Sequence, residues 1–279
     1  NANHIHENVR LFLKNGDEMA LMQIRIATRR IRVALRIFKD FIHPLTRQTF
    51  KEEFRSFGNQ MGRARDLDVL LNGLLREDGP PDVDADDYQD LRVRIAKIRN
   101  REFHKMRKKL KSKPFRSLVK RFDAWCAEPL NPAKKKSYPD LQTFVLNTLE
   151  EGRTELLLKG RNLGDYSVED LHELRKYVKR SRYYIRFFSS LLKPEKVAQA
   201  YNILVPMQDS LGHVNDVSVG TQLLGRICAD VSSKKMKRYL HMNALLLEYL
   251  GKQADAEMLV YEKCWAQFRS FTIGADDFR

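Results

Sequence analysis

The chain has 279 residues, of which 43% are hydrophobic, enough apolar material for one large domain or two of moderate size. Its 51 Lys and Arg residues outnumber its 36 Asp and Glu residues, and the net charge of +15 favours a polyanionic partner: nucleic acid, an anionic membrane or polyphosphate. No apolar run of roughly 18 residues is present, which argues against a transmembrane helix. The three cysteines form no CxxC pair and no disulfide framework, which indicates a reducing cytoplasm.

Helical periodicity runs through most of the sequence, and no segment shows the apolar–polar alternation of a β-strand. Glycine and proline are scarce, and they mark breaks between the periodic segments. The pattern therefore predicts an all-α fold. The predicted helices span residues 4–14, 17–42, 46–76, 85–112, 115–126, 138–160, 167–192, 195–231, 233–250 and 252–271.

The sequence also repeats itself at a constant offset of 150 residues. The matching segments are LMQIRIATRRIRVALRIF (21–38) with LHELRKYVKRSRYYIRFF (171–188), and MGRARDLDV (61–69) with LGHVNDVSV (211–219). Such a repeat is typical of a duplicated structural unit. We predict two homologous helical halves, residues 1–127 and 140–279, joined by a linker at 128–139 and packed as two bundles related by a pseudo-two-fold axis.

Basic residues line one face of three predicted helices when residues are placed 100° apart. In the first repeated segment this face carries Arg25, Arg29, Arg32 and Arg36, opposite Ile24, Ala27, Ile31, Ala34 and Phe38. In the second it carries His172, Arg175, Lys176, Lys179, Arg182 and Arg186, opposite Leu174, Val178, Ser181, Ile185 and Phe188. A third row in 92–121 carries Lys97, Arg101, His104, Lys108 and Lys111, opposite Ile95, Ile98 and Met106.

The charge of these three rows is not balanced locally, because their segments contain only the acids Glu102 and Glu173. Like charges one helical turn apart are mildly destabilising, which suggests a ligand that offsets the repulsion. The planar guanidinium fork matches phosphate oxygens, and arginines at one-turn intervals suit a linear chain of phosphates. The alternative interpretation is an ordinary solvated basic face.

These segments, together with NREFHKMRKKLKSKPFRSLVKRFDAW (100–125), resemble in order the CHAD family, the conserved histidine α-helical domain. The resemblance implies two four-helix bundles around a basic central cavity. It also implies binding of inorganic polyphosphate without catalysis, and a location on polyphosphate granules. In the family pattern the cavity is lined by the positions of Arg25, Arg29, Arg32, Arg36, His104, Lys108, His172, Arg175, Lys179, Arg182 and Arg186.

One position departs from the family pattern: Met22 stands where a histidine is expected, just before the first basic row. His172 keeps this histidine in the second half, and His104 matches the one expected in the third row. The departure weakens mechanisms that need every histidine, such as metal chelation or phospho-transfer, and leaves binding by Arg and Lys untouched. His104 and His172 are interpreted as hydrogen-bond donors to phosphate, and incidental structural histidines are the alternative.

The repeated Asp66 and Asp216 fit two interpretations. Either they orient basic side chains of the site through ion pairs, or they cap helices and pack turns. Gly62 and Gly212, which recur with them, permit close helix approach or a bend.

We expect a binding protein and not an enzyme, without cofactor or metal, because the sequence has no GxxxxGK[ST] loop, HExxH pair or GxSxG elbow. A general polyanion-binding or nucleic-acid-binding protein is the alternative. Against it, no helix-turn-helix is evident and no aromatic residues are interleaved on the basic faces to stack bases. The expected partners are inorganic polyphosphate and polyphosphate-metabolising proteins, in the cytoplasm and without a membrane partner.

Overall fold

The computed structural model describes residues 2–128, 139–161 and 167–279, and within these residues the fold is all-helical, as predicted. Leu192 and Phe278 form an isolated antiparallel bridge. The α-helices of the described chain are α1 (Ala2–Asn15), α2 (Glu18–Ile37), α3 (Pro44–Gln60), α4 (Gly62–Val69), α5 (Ala85–Leu110), α6 (Lys113–Ala127), α7 (Leu141–Lys159), α8 (Val168–Phe188), α9 (Pro194–Ala229) and α10 (Ser233–Ser270).

Local sequence signals explain where several helices begin. The Asp17 carboxylate accepts a hydrogen bond from the backbone N–H of Met19 at 2.8 Å and so caps α2. Ser167 and Asp170 form a capping box at the start of α8. Pro44 and Pro194 occupy the first positions of α3 and α9, where a missing N–H costs nothing. The duplicated segments therefore begin their helices at equivalent positions.

Three predicted helices differ from the observed ones in where they break. The helix predicted at 46–76 is interrupted by a turn at Met61, and it ends in a π-helical segment, Leu70–Leu74. Conversely, the helices predicted at 233–250 and 252–271 are one continuous helix, α10, that runs through Gly251. Of the predicted linker 128–139, residues 129–138 lie outside the described residues.

Unit 1 of the fold comprises residues 2–68 and 94–128. Here α1 and α3 each pack against both α2 and α6, so these four helices close into a bundle. The bundle core is rich in aromatic rings. Phe57 is stacked on Phe115 with 4.3 Å between the ring centroids, and Phe54 is edge-on to Phe122 with 5.0 Å between the centroids. Met106 and Leu110 of α5 complete this core.

Unit 2 comprises residues 69–93, 139–161 and 167–279. Helices α7, α8, α9 and α10 pack in sequence order, and the π-helical segment packs on α9. The guanidinium group of Arg153 on α7 donates to the backbone oxygen of Phe271 at 2.7 Å, just beyond α10. Residues 69–93 thus pack with the second unit, although they belong to the first predicted half. The pseudo-two-fold axis stays a prediction.

No helix in the described part of the chain combines the length and the apolar character that crossing a membrane requires.

Candidate functional site

The first basic row, here called the α2 row, comprises Arg25, Arg29, Arg32 and Arg36 in unit 1. On the opposite face Ile24, Ala27 and Ile31 are buried in the bundle core, as predicted, whereas Ala34 and Phe38 are half-buried. Arg25, Arg29 and Arg32 are themselves half-buried, and Arg36 is exposed. Nη1 of Arg25 donates to the backbone oxygen of Met61 at 3.3 Å, which fixes this end of the row against the end of α3.

Arg32 lies in a strongly cationic environment. Burial lowers its pKa from the usual arginine value, and the positive charges of Arg29 and Arg55 lower the pKa further. The Nε atom of Arg32 is buried and has no hydrogen-bond partner among the described residues. Within the same residues no carboxylate pairs with Arg29, Arg32 or Arg55. An anion bound beside these groups would offset their repulsion and accept a hydrogen bond from the buried donor.

The basic row on α5, here called the α5 row, comprises Lys97, Arg101, His104 and Lys108, and all four side chains are exposed. On the opposite side of the same helix, Ile95 and Met106 are buried, as predicted, whereas Ile98 is half-buried. Glu102, the one acid of this segment, pairs with Lys105 at 2.8 Å and with Arg63 at 3.6 Å. The positive charge of the α5 row is therefore not neutralised by Glu102.

Arg99 lies in the same cation-rich segment but has a structural role. It is only 6% exposed, and it hydrogen-bonds to Asp68 on α4 through Nε at 2.8 Å and to Glu18 on α2. Burial lowers the pKa of Arg99, but the hydrogen bonds to Glu18 and Asp68 outweigh burial and raise the pKa above its usual value. Arg99 therefore ties three helices of unit 1 together, and its donors are already occupied.

The basic row on α8, here called the α8 row, lies in unit 2 and comprises His172, Arg175, Lys176, Lys179, Arg182 and Arg186. The opposite face is buried as predicted, and it consists of Leu174, Val178, Ser181, Ile185 and Phe188. Lys176 is paired with Glu173 at 2.6 Å, and this hydrogen bond lowers the pKa of the Glu173 carboxyl. Within the described residues Arg182 and Arg186 have no carboxylate partner.

The repeated segment 211–219 of α9 lies against the α8 row. Nδ1 of His172 donates to Oδ1 of Asn215 at 2.6 Å, and Nδ2 of Asn215 donates to Oδ1 of Asp216 at 3.2 Å. These hydrogen bonds hold the imidazole of His172 in place and occupy its Nδ1 atom. Nε2 is the ring nitrogen that remains for a ligand. A Cβ atom added to Gly212 would lie 3.9 Å from Nε of Arg175, so the α9 backbone lies close to the same row.

The positions of the repeated aspartates exclude helix capping, one of the roles considered for them. Asp66 and Asp216 lie inside α4 and α9, so neither caps a helix. Asp66 pairs with its neighbour Arg65 at 3.2 Å, whereas Asp216 is connected to His172 through Asn215. In unit 2 the repeated aspartate therefore helps to position His172.

His104 also has a fixed ring nitrogen, because its Nδ1 lies 3.1 Å from the backbone oxygen of Asn100. Since a carbonyl oxygen only accepts, Nδ1 carries the hydrogen. The ring nitrogen of His104 that remains for a ligand is Nε2, as in His172, and it donates to a phosphate oxygen, as predicted from the sequence, only when the imidazole is protonated.

Sequence reasoning missed the basic residues of α3. Arg55 acts electrostatically on Arg32, and the buried Nε of Arg47 has no hydrogen-bond partner among the described residues. Arg47, Lys51 and Arg55 are four residues apart, which is a helical stripe visible in the sequence. Glu52 and Glu53 lie within the same stretch and obscure the stripe when charge is counted by segment.

The predicted site residues thus fall on three helices, with the α2 and α5 rows in unit 1 and the α8 row in unit 2. Chemically, the rows offer hydrogen-bond donors and positive charge. No grouping of three His, Cys, Asp or Glu side chains in the described chain is arranged to hold a metal ion. That all three rows line one central cavity stays a prediction.

Comparison with known proteins identifies the family. The CHAD domain matches residues 1–225. The crystal structure of the CHAD domain from the plant Ricinus communis has a similar fold, with a TM-score of 0.78 and 23% identity, covering 100% of this chain and 89% of that one. PptA from Streptomyces chartreusis is similar with a TM-score of 0.68 and 16% identity, covering 95% of each chain. No curated protein matches the chain. Since the family match extends over most of its length, the chain belongs to the CHAD family.

Proposed function

We propose that this protein binds inorganic polyphosphate through the α2, α5 and α8 rows, without turning it over. The observation that carries the proposal is the lack of local neutralisation. In the described chain Arg29, Arg32, Lys97, Arg101, Lys108, Arg182 and Arg186 have no carboxylate partner. Charged groups held close together without counter-ions favour a polyanionic ligand, and membership of the CHAD family makes polyphosphate the leading candidate.

The geometry of a helix explains why a linear phosphate chain suits these rows. Arg25 and Arg36 are eleven residues apart, so the α2 row is about 16 Å long. A single phosphate reaches one or two of its cations, whereas a chain meets successive guanidinium groups along its whole length. Affinity should therefore increase with chain length, and it should fall steeply with salt because counter-ions are released on binding.

Such binding gives the protein a means of attaching to polyphosphate granules in the cytoplasm. Polyphosphate-metabolising proteins would then be held near the same polymer. We expect purified protein to leave the chain length of bound polyphosphate unchanged.

The proposal is tested with the double variant Arg32→Ala, Arg182→Ala, which removes one cation from a row in each unit. We expect the affinity for long-chain polyphosphate to fall at least tenfold, because a hydrogen bond to a charged group contributes about 1.5–3 kcal/mol. Isothermal titration calorimetry measures the affinity. The matched control is Arg10→Ala, Arg269→Ala, which removes the same charge from exposed positions outside the rows. Equal affinities of both double variants would contradict the proposed site.

A further inference from the structure

Helix α3 carries a fourth basic row, Arg47, Lys51 and Arg55, here called the α3 row. Lys51 and Arg55 are exposed, and Arg47 is half-buried. The opposite face of α3 is committed to the core of unit 1 by Phe50, Phe54 and Phe57, all of which are buried. The α3 row is therefore directed away from the bundle core.

The contacts between α2 and α3 set the register of the two basic rows. The two helices pack against each other, and Nη1 of Arg25 reaches the backbone oxygen of Met61 at 3.3 Å. One turn further along α2, a Cβ atom on Gly58 would lie 3.8 Å from Oγ1 of Thr28. The next turn brings the charges of Arg32 and Arg55 together. Helices running in opposite directions keep this register, so Lys51 falls beside Arg36.

The acids of α3 do not neutralise this arrangement. Glu52 accepts a hydrogen bond from Gln48, and Glu53 pairs with Arg121 of α6 at 2.7 Å. Among the described residues, Lys51 and Arg55 have no carboxylate partner, and the same holds for Arg32. Arg32, Lys51 and Arg55 thus lie on neighbouring helices without a carboxylate partner in the described chain, although their mutual repulsion opposes this packing.

The second half of the chain lacks the α3 row. At the offset of 150 residues, Arg47, Lys51 and Arg55 correspond to Val197, Tyr201 and Val205 on α9. The α8 row is retained, but the corresponding positions on α9 are apolar or aromatic. The duplication has therefore left the two units chemically unequal.

We infer that α2 and α3 form a two-sided cationic groove in unit 1 that holds a segment of a phosphate chain between the α2 and α3 rows, whereas the positions of α9 that correspond to the α3 row carry no charge. The inference rests on the proposed function and adds binding residues to it. Arg32 and Arg55 donate to oxygens on opposite sides of the chain, and Arg36 and Lys51 do so one turn away. A polymer held from both sides makes two contacts per turn and loses one of them when either row is removed.

The test is the double variant Lys51→Gln, Arg55→Gln, which keeps long polar side chains on an exposed helix face and removes both charges. We expect its affinity for long-chain polyphosphate, measured by titration calorimetry at constant salt, to fall about ten- to hundredfold. The matched control is Arg10→Gln, Lys14→Gln, the same residue types with the same spacing on the exposed face of α1. Circular dichroism melts establish that all variants are folded.

The outcomes separate the two proposals. A loss no larger than that of the α1 control overturns the groove, and if Arg182→Ala still weakens binding in the same assay, the proposed function stands without it. If the unsubstituted protein fails to bind polyphosphate at all, the proposed function fails, and the groove fails with it. A loss well above the control, with an unchanged melting temperature, establishes the α3 row as part of the binding site.

Discussion

Arg32 shows why the type of cation matters at this site and not only its charge. Its Nε atom is buried without a hydrogen-bond partner in the described chain, while its charge is repelled by Arg29 and Arg55. A lysine at this position would keep the positive charge, but it has no Nε donor and no planar fork. The side chain of Arg32 is thus suited to a phosphate that enters partly beneath the protein surface.

Replacing Arg32 by lysine tests this reasoning. We expect Arg32→Lys to lower the affinity for polyphosphate on the order of tenfold, although the net charge is unchanged. The control is Arg186→Lys in the α8 row, because Arg186 is exposed and a flexible ammonium group can replace its guanidinium there. Competition titrations with a labelled polyphosphate measure both affinities. Equal effects of the two substitutions would show that only charge matters at Arg32.

At the residue scale the sequence predicted the buried sides of the helices better than the use of each cation. Helical spacing correctly separated Leu174 and Val178 from the basic row, since burial follows the period of the helix. Spacing does not reveal which basic residue meets an acid from a distant segment. Arg99 is such a case, because Glu18 lies far away in sequence and comes close only in the folded unit.

The structural role of Arg99 leads to a prediction about α5. We expect Arg99→Met to lower the free energy of unfolding by about 1–3 kcal/mol, because it leaves Glu18 and Asp68 without their shared partner. Arg101→Met on the same helix is the control, and we expect it to change stability by less than about 0.5 kcal/mol, since Arg101 is exposed. Urea unfolding measures both. Equal stability of the two variants would refute the anchoring role of Arg99.

At the scale of helices, the predicted boundaries failed where packing overrides local signals. Gly251 has a low helix propensity, yet α10 continues through it because the packing of α10 against α9 compensates for a cost of about 1 kcal/mol. The chain turns at Met61, just before Gly62, whereas the corresponding Gly212 lies within continuous α9. A glycine alone therefore does not fix a break. At Met61 the backbone oxygen accepts a hydrogen bond from the guanidinium group of Arg25, a tertiary contact that the local sequence does not encode.

Close packing between α7 and α8 is a second feature with a measurable consequence. A Cβ atom on Gly152 would lie 2.8 Å from the ring of the buried Tyr184, so we expect Gly152→Ala to lower stability by about 1–3 kcal/mol. In α9, Gly225 has no neighbouring atom within 4 Å of an added Cβ. Gly225→Ala should therefore be neutral or stabilising by up to about 1 kcal/mol. Thermal unfolding of both variants checks this contrast, and a stable Gly152→Ala protein would contradict the packing.

At the scale of the molecule, the charge of +15 and the repeat at an offset of 150 were both visible in the sequence. The all-α fold followed from helical periodicity, and membership of the CHAD family followed from the resemblance of the repeated and basic segments; both are confirmed. The sequence did not predict that residues 69–93 pack with the second unit, because that depends on contacts such as the ion pair between Asp87 and Arg238. The central cavity shared by all three rows stays a prediction.

The central claim, that the basic rows form a site for polyphosphate, is tested most directly by competition. Labelled long-chain polyphosphate is bound at about 150 mM salt, where loose surface attraction is screened, and is then challenged with RNA, with single- and double-stranded DNA, and with orthophosphate. We predict that unlabelled polyphosphate displaces the label at concentrations at least a hundredfold lower than any nucleic acid, and that orthophosphate fails to displace it. Displacement by RNA or DNA at the same concentrations as polyphosphate would contradict the account and identify a general polyanion-binding surface.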